Sequence, residues 1–390
     1  MDSTASTHST RVTFIHTSDF QLGMTRWFFG PAAQSRFDDD REAAVLRLGE
    51  LATESGAEFI VVAGDVFEHN SLAQSTLLRA KDMFKRLPVP VYLLPGNHDP
   101  LVADSIFYKS FADNVHVITD FEPITVREGV EIVGAPYLSK RANYDLVRRA
   151  LEPVEPLERG VRIAVGHGQV ESRAGAGEEG DAASDADIID LAYVEQRLAE
   201  GAIDYLALGD THSTASLGTS GRVWFSGSPE TTAFDDRERD SGNALVVSLE
   251  RGAGEQSRVE VTPHHVGRWE FRAIDRDVDS AADVERFLAE LEAVEEKIRT
   301  AVKYSLRGTI GLSAQARLEQ GLAELEEVFA SLKPRERTMD IHLEPSQEEL
   351  ESLDLSGYAA EALAEILEDR DNPQARDAAN LLFRLSAKGA

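Results

Sequence analysis

The sequence predicts a layered α/β protein, because short apolar segments alternate with amphipathic helical segments over its first two thirds. Six strand-like segments are rich in Val, Ile, Leu or Phe and are followed by turn-forming or polar residues; they span 12–16, 59–63, 91–94, 131–135, 162–166 and 204–208. Helical patterns cover residues 39–54 and 72–87 between them. This alternation favours sheets that are buried on both faces.

Length, charge and composition exclude some classes of function. The chain has 390 residues, 42% of them hydrophobic, which is enough for two or three domains. Its net charge of −29 repels phosphate backbones, so it is not a basic-patch nucleic-acid binder. The absence of cysteine excludes disulfides and thiolate metal sites. We expect a cytoplasmic protein without membrane contacts, since no signal-peptide pattern and no apolar run of about 20 residues occur.

Changes in pattern along the chain predict four regions. We expect a disordered tail over residues 1–10, a main domain over 11–267 and a small α/β domain over 268–345, followed by a helical segment over 346–390. The small domain should contain helices at 278–301 and 314–332, strands at 302–307 and 338–343, and a turn at 269–271. The helical segment could pack on its own domain or dock on another protein. Residues 171–187 are rich in Gly, Ala and acidic residues, which predicts a mobile loop, either a plain surface excursion or a substrate lid.

Polar residues of the types that bind metals follow five of the predicted strands. They are Asp19, Asp65, Asn97 with His98, His167, and Asp210 with His212. Each of them alone could be an ordinary turn or capping residue. Together, at the carboxyl ends of α/β strands, they indicate an active site. Oxygen and imidazole ligands without sulfur suit a pair of Mn, Mg, Fe or Zn ions that share one carboxylate.

These motifs resemble those of a known family. Gly-Asp-Val-Phe at 64–67, followed by Gly-Asn-His-Asp at 96–99, is similar to the calcineurin-like metallophosphoesterase superfamily. His-Thr-Ser-Asp-Phe-Gln-Leu-Gly at 16–23 and Phe-Ser-Gly-Ser-Pro-Glu at 225–230 resemble segments of SbcD-type nuclease subunits of DNA-repair complexes. The resemblance covers residues 11–345. It implies a four-layer α/β/β/α sandwich with a small α/β capping domain, to which the helical patterns beyond residue 345 add C-terminal helices.

The resemblance also implies roles for individual residues. Two ligand sets would share a bridging carboxylate: Asp19 and His212 for the first ion, Asn97 and His167 for the second, and Asp65 for both. His98 would face the scissile phosphate without binding metal, and it could donate a proton to the leaving oxygen.

Two positions differ from the family pattern. Gln21 stands where the first motif normally has histidine, and Asp210 stands where the last motif normally has histidine. Gln21 can offer only an amide oxygen, which is a weaker ligand than imidazole. Asp210 offers a hard, anionic oxygen. The two changes therefore favour Mn or Mg over Zn.

The resemblance predicts a dinuclear-metal-dependent DNA nuclease of the SbcD type that hydrolyses phosphodiesters. We expect an exonuclease subunit that uses two divalent ions, with Mn favoured, and that works with an SbcC-type coiled-coil ATPase; a homodimer stays open. The strong negative charge favours an alternative, a small-molecule phosphodiesterase or phosphatase. A third hypothesis is a regulatory subunit that binds metal but has weak turnover.

Overall fold

The computed structural model describes residues 9–170 and 188–344, with seven isolated positions beyond them (349, 361, 362, 365, 366, 375 and 378). The predicted loop at 171–187 and most of the predicted helical segment at 346–390 lie outside the described residues. The chain divides into two compact units. One contains the chain up to Trp27 together with Gln34–Trp269, and the other contains Phe28–Ala33 and the chain from Glu270. None of the helices in the described ranges is long and apolar enough to cross a bilayer.

The first unit is built on two six-stranded sheets. In spatial order, the first sheet contains β12 (Arg258–His265), β11 (Asn243–Arg251), β1 (Thr10–Thr17), β2 (Ile60–Val62), β3 (Val91–Leu93) and β4 (Val115–Val117). The strands from β1 to β4 are parallel, whereas β11 and β12 run antiparallel to their neighbours. The carboxyl ends of β1, β2 and β3, which are three of these four parallel strands, therefore lie at the same edge of the sheet.

The second sheet of this unit repeats the arrangement. In spatial order it contains β5 (Ile124–Arg127), β6 (Val130–Gly134), β7 (Val161–His167), β8 (Tyr205–Gly209), β10 (Val223–Phe225) and β9 (Ala215–Leu217). The central strands β6, β7, β8 and β10 are parallel, and the edge strands β5 and β9 are antiparallel to them. The carboxyl ends of β7 and β8 therefore also share one edge.

Alternating side chains place these sheets between two layers of helices. Phe14 of β1 packs with residues of both sheets in a buried cluster, whereas the next residue, Ile15, packs on the helical side. Helices α1 (Pro31–Ser55) and α2 (Gln74–Lys85) cover the first sheet, and α3 (Leu146–Leu151) and α4 (Leu191–Ala199) cover the second. This confirms the predicted α/β class and the four-layer order.

The second unit is a small α/β domain with its own core. Its four parallel strands are β13 (Glu270–Asp277), β14 (Thr300–Ile310), β15 (Ser331–Pro334) and β16 (Asp340–Leu343), with helices α5 (Ala281–Glu292) and α6 (Leu312–Glu326). Phe287, Leu306 and Leu318 are among its buried residues.

Three local predictions in the second unit were wrong. The helices predicted at 278–301 and 314–332 extend too far, since β14 begins at Thr300 and β15 at Ser331, and the turn predicted at 269–271 is the start of β13. These residues form strands rather than helix because β13 and β15 each pair with β14, and this long-range pairing overrides the local helical periodicity.

Candidate metal centre

The predicted ligands converge because they follow parallel strands of the two packed sheets. They lie at five strand ends: Asp19 after β1, Asp65 after β2, Asn97 and His98 after β3, His167 at the end of β7, and Asp210 and His212 after β8. Asp19, Asp65 and His167 are buried, and each offers one ligand atom within 4.8 Å of the other two. These three side chains form a candidate site for a divalent metal ion.

An unusual backbone conformation is concentrated in these loops. Among the described residues, five non-glycine residues have positive φ, and four of them are Asp19 (55°), Gln21 (41°), Asp65 (52°) and Asp210 (103°). Such conformations cost free energy and persist where the surroundings enforce them. Here the amide N–H of Asp19 donates to the carbonyl of Gly64 (3.0 Å), and that of Gln21 donates to the carbonyl of Asp65 (2.8 Å). The first two loops are thus fastened together.

Two glycines allow the close approach of the ligands. A Cβ atom on Gly64, which has a φ of 95°, would overlap the imidazole of His167. A Cβ atom on Gly96 would overlap the backbone and carboxylate of Asp65. Both glycines are therefore required by space, and at Gly64 also by the backbone conformation.

Asp99 joins the loop of Asp65 to the loop that carries Asn97 and His98. It is fully buried, and its two oxygens accept from the amides of Gly96 (2.7 Å) and Phe67 (2.8 Å). Burial, together with the nearby charge of Asp65, raises the pKa of Asp99 to about 7. In parallel, Asp65 Oδ1 accepts from the amide of His98 at 3.0 Å. Asp99 therefore supports the site by holding these two loops together.

Two histidines have their ring orientation fixed by carbonyl groups. Nδ1 of His167 lies 2.8 Å from the carbonyl oxygen of Ala63, and Nδ1 of His98 lies 3.1 Å from that of Glu68. Because a carbonyl only accepts, each Nδ1 carries the hydrogen and each Nε2 faces the site. Nε2 of His167 lies 3.3 Å from Asp65 Oδ2, whereas Nε2 of His98 lies 4.0 Å from the same oxygen.

His212 is oriented by side chains instead. Its Nδ1 lies 2.6 Å from Thr232 Oγ1, and its Nε2 lies 3.8 Å from Asp19 Oδ1. On the neighbouring strand end, Asp210 Oδ1 lies 3.8 Å from Nε2 of His167, and the Asp210 amide donates to both oxygens of Asp19 at 3.2 Å. The two residues after β8 thus reach the ligands that follow β1 and β7.

The electrostatics show how crowded the carboxylates are. Burial raises the pKa of Asp19, and it raises the pKa of Asp210 to about 6. Burial also acts to raise the pKa of Asp65, but the charges and hydrogen bonds of His167 and His98 together outweigh it, and the pKa is lowered. Burial alone would lower the pKa of His167; Asp65 and the other carboxylates raise it well above its usual value. A proton on His167 therefore balances the cluster, and a metal cation would compete for the same lone pair.

Three further atoms support a metal site. Within the described part of the chain, Gln21 Oε1 and Asn97 Oδ1 are buried without a hydrogen-bond partner, and buried His167 Nε2 has only its ion-pair contacts with Asp65 (3.3 Å) and Asp210 (3.8 Å). Leaving such an atom unsatisfied costs about 1–3 kcal/mol, so each of them requires an explanation. All three belong to predicted ligands, and carboxylate, amide and imidazole donors together suit divalent cations. The residues therefore fit the metal pair that the motifs imply.

Some residues of the site were not predicted from the sequence. Asp99 is part of a motif, but nothing marked it as the link between two loops. Thr232 and Glu238 lie against His212, yet Glu238 belongs to a run of charged residues (235–240) that is typical of a solvated surface. No local pattern distinguishes a buried carboxylate in such a run.

The geometry agrees with the family to which the sequence belongs. Residues 12–214, just over half of the chain, match the family described as calcineurin-like phosphoesterase. The chain is therefore a calcineurin-like phosphoesterase, and membership implies a metal-dependent hydrolase.

Particular relatives differ in how much of the chain they cover. An uncharacterized metallophosphoesterase, YhaO of Bacillus subtilis, is 24% identical over 342 residues, which are 84% of this chain and 78% of YhaO. The DNA double-strand break repair protein Mre11 of Archaeoglobus fulgidus is 32% identical over 98 residues, 24% of this chain and 21% of Mre11. Among solved structures, a dimetal phosphatase from Danio rerio is 10% identical, with a TM-score of 0.37 over 64% of this chain and 98% of that chain.

Proposed function

We propose that the chain is a dinuclear-metal DNA nuclease subunit of the SbcD type, which hydrolyses phosphodiester bonds with Mn²⁺. The observation that carries this proposal is the convergence of ligand-type atoms from five strand ends beside His98. The partial identity with Mre11, a DNA-repair protein, supports DNA as the substrate. An exonuclease that works with an SbcC-type coiled-coil ATPase is the form that we favour.

In this proposal the ligands would divide into two sets, and Asp65 would belong to both. Asp19, Gln21 and His212 would hold one ion, and Asn97, His167 and Asp210 would hold the other. Three carboxylates leave one net positive charge when two divalent cations are bound, which suits an anionic phosphodiester. Bound divalent cations would supply charge stabilisation to the phosphoryl group and an activated water.

We assign His98 as the residue that donates a proton to the leaving oxygen. Its ring is fixed by the hydrogen bond from Nδ1 to the carbonyl of Glu68, and its side chain is 23% exposed, so Nε2 is within reach of a substrate. Burial alone would lower the pKa of His98, but Asp65 and Glu68 outweigh burial and raise it. The raised pKa favours the protonated ring, which is the form that a general acid requires.

The other regions receive roles in the same proposal. We assign residues 268–345 as the capping domain and residues 346–390 as the segment that docks on the ATPase. The resemblance to SbcD-type subunits supports the capping domain, whereas the docking segment is supported by short helical patterns that have little core of their own.

A small-molecule phosphodiesterase is the second candidate, because a net charge of −29 opposes binding of a polyanion. The experiment measures hydrolysis of single-stranded DNA, double-stranded DNA and bis-p-nitrophenyl phosphate with Mn²⁺, Mg²⁺ or Zn²⁺. We expect DNA hydrolysis with Mn²⁺. Cleavage of the chromogenic ester alone would favour the second candidate, and metal binding without any turnover would favour a regulatory subunit.

Within that assay, His98→Ala tests the assigned proton donor. We expect turnover to fall by about 10²-fold or more, because the leaving oxygen loses its general acid. Metal content, measured by elemental analysis after gel filtration, should stay at the wild-type value. Loss of the metals in His98→Ala would show that this residue is a ligand instead.

A further inference from the structure

A chain of hydrogen bonds runs from His212 to two buried residues, Thr232 and Glu238. Nδ1 of His212 lies 2.6 Å from Thr232 Oγ1, and Thr232 Oγ1 donates to Glu238 Oε2 at 2.7 Å. Glu238 Oε2 also lies 3.4 Å from the same ring nitrogen. Thr232 is 1% exposed and Glu238 is 6% exposed, so water does not compete for these bonds.

The chemistry of the three groups fixes the direction of the bonds. A carboxylate can only accept, so the single hydroxyl hydrogen of Thr232 points to Glu238. The hydroxyl oxygen must then accept from His212, which places the hydrogen of the ring on Nδ1. The lone pair of His212 is left on Nε2, the atom that faces Asp19.

We propose that Thr232 and Glu238 are positioning residues that hold His212 in the one tautomer and ring orientation able to bind a metal ion. This inference rests on the role of His212 as a ligand in the proposed function. Partners of this kind raise the basicity of a ligand histidine and reduce the freedom of its ring, and their loss weakens metal binding by about 10- to 100-fold.

Hydrogen bonds from the backbone of the loop around Thr232 fix the position of the Glu238 carboxylate. Glu238 Oε1 accepts from the amide of Thr232 (2.9 Å), and Oε2 accepts from the amide of Ala233 (2.8 Å). The guanidinium of Arg26 donates to the carbonyl oxygen of Thr232. If Glu238 made only these backbone bonds, its role would be to stabilise the loop. Within the described residues, the hydroxyl of Thr232 makes the short contact with His212 at 2.6 Å, whereas Glu238 Oε2 lies farther from the same ring nitrogen, at 3.4 Å. Removing that hydroxyl therefore tests the positioning of His212 while the backbone bonds of Glu238 to the loop are kept.

The test compares Mn²⁺ binding to metal-free full-length protein by isothermal titration calorimetry. In Thr232→Val the hydroxyl is replaced by a methyl group of similar size, and we expect one of the two ions to bind about 10- to 100-fold more weakly. Thr232→Ser keeps the hydroxyl and should stay within about threefold of wild type. Thr231→Val is the matched control, because Thr231 is also buried but its hydroxyl lies 3.1 Å from Ser241 Oγ. It should bind Mn²⁺ as wild type does.

Thermal unfolding in the presence of a chelator shows which variants are folded. If Thr232→Val is not folded, Thr232→Ala takes its place. Wild-type affinity in a folded Thr232→Val or Thr232→Ala would overturn the inference, as would an equal loss in Thr231→Val or in Thr232→Ser. Unchanged Mn²⁺ affinity in His212→Ala would overturn it as well, since the inference requires His212 to be a ligand. A protein that shows the expected pattern without cutting DNA would support the positioning role of Thr232 and Glu238 while contradicting the proposed substrate.

Discussion

The two ends of the paired sheets in the first unit use buried aspartates in opposite ways. At the amino end, Asp204 precedes β8 and accepts from the amide of Arg162 (2.7 Å) and from the guanidinium of Arg251 (3.2 Å). The side chains of Asp204 and Arg251 are 2% and 8% exposed. This end is a closed ion pair in which the negative charge is balanced by the protein itself.

At the carboxyl end the negative charges have no such balance. Asp19, Asp65 and Asp210 lie near histidines, and within the described residues no lysine or arginine forms an ion pair with any of them. Burial of a carboxylate without a fixed cation is costly, which is why the pKa values of Asp19 and Asp210 are raised. The difference teaches that the same residue type supports stability where an arginine is supplied and ligand binding where it is withheld.

The substitution with the largest expected effect on this contrast is Asp65→Asn. The amide keeps the shape and can still accept from the amide of His98, but it removes the charge that two cations would share. We expect loss of the metal pair and a fall of turnover to the background rate, measured by calorimetry with Mn²⁺ and by hydrolysis of bis-p-nitrophenyl phosphate. Two bound ions per chain in this variant would show that Asp65 does not bridge them.

The matching substitution at the other end is Asp204→Asn. It leaves the buried guanidinium of Arg251 without its counter-charge, so we expect the free energy of unfolding to fall by about 3–5 kcal/mol. Urea denaturation in chelator measures this loss. The Mn²⁺ affinity of the folded variant should match wild type. A change in affinity as large as that of Asp65→Asn would break the distinction between the two ends.

A third test uses pH in the metal-free protein. The folded pKa of Asp210 is about 6, above its usual value of 3.8, so folding is penalised when the group ionises. The penalty is absent below pH 4, grows as the pH rises from about 4 to about 6, and then stays constant at up to about 3 kcal/mol. Asp210→Asn should therefore be more stable than wild type above pH 6 and similar to it near pH 4, by urea denaturation in chelator. Parallel stability curves at all pH values would contradict this prediction.

The smallest expected effect belongs to Gln21→His. Histidine tolerates the positive φ of this position better than most residues, and imidazole is a better ligand than an amide oxygen. Because Gln21 Oε1 is already buried without a hydrogen-bond partner in the described structure, we expect only a modest gain. Mn²⁺ affinity at the weaker site should rise by up to about tenfold, which is about 1.4 kcal/mol. Two equally tight ions in wild type, unaltered by the substitution, would refute the idea that Gln21 weakens one position.

The sequence predicted the central strands and the strand-end motifs well, because their signals are local. Strands β1, β2, β3, β6, β7 and β8 each contain a compact apolar run, and the ligand motifs lie at or just after the ends of five of them, all except β6. The short strands β4, β5 and β9 have only three or four residues, most of them partly or fully exposed, which is too short a run to establish a periodicity. Their pairing is visible only in three dimensions.

Within the site, the limit has a different cause. The ligand roles of Asp19 through His212 stay predictions, but their proximity follows from parallel topology, which the alternating pattern indicated. Glu238 could not be found in the same way, since its burial depends on the loop that folds over it from residue 232 onward. Whether a charged side chain is solvated or enclosed is a property of packing, and a single sequence does not contain it.

The close contact between Gly96 and Asp65 has a consequence for genetics. Any side chain at Gly96 would displace the carboxylate of Asp65, although Gly96 itself has no group that could bind a metal. A screen for loss of function should therefore recover substitutions at Gly96 as readily as substitutions at the ligands. Suppressors in the same loop should be rare, because the missing volume lies against the backbone of Asp65 and a smaller neighbour cannot restore it.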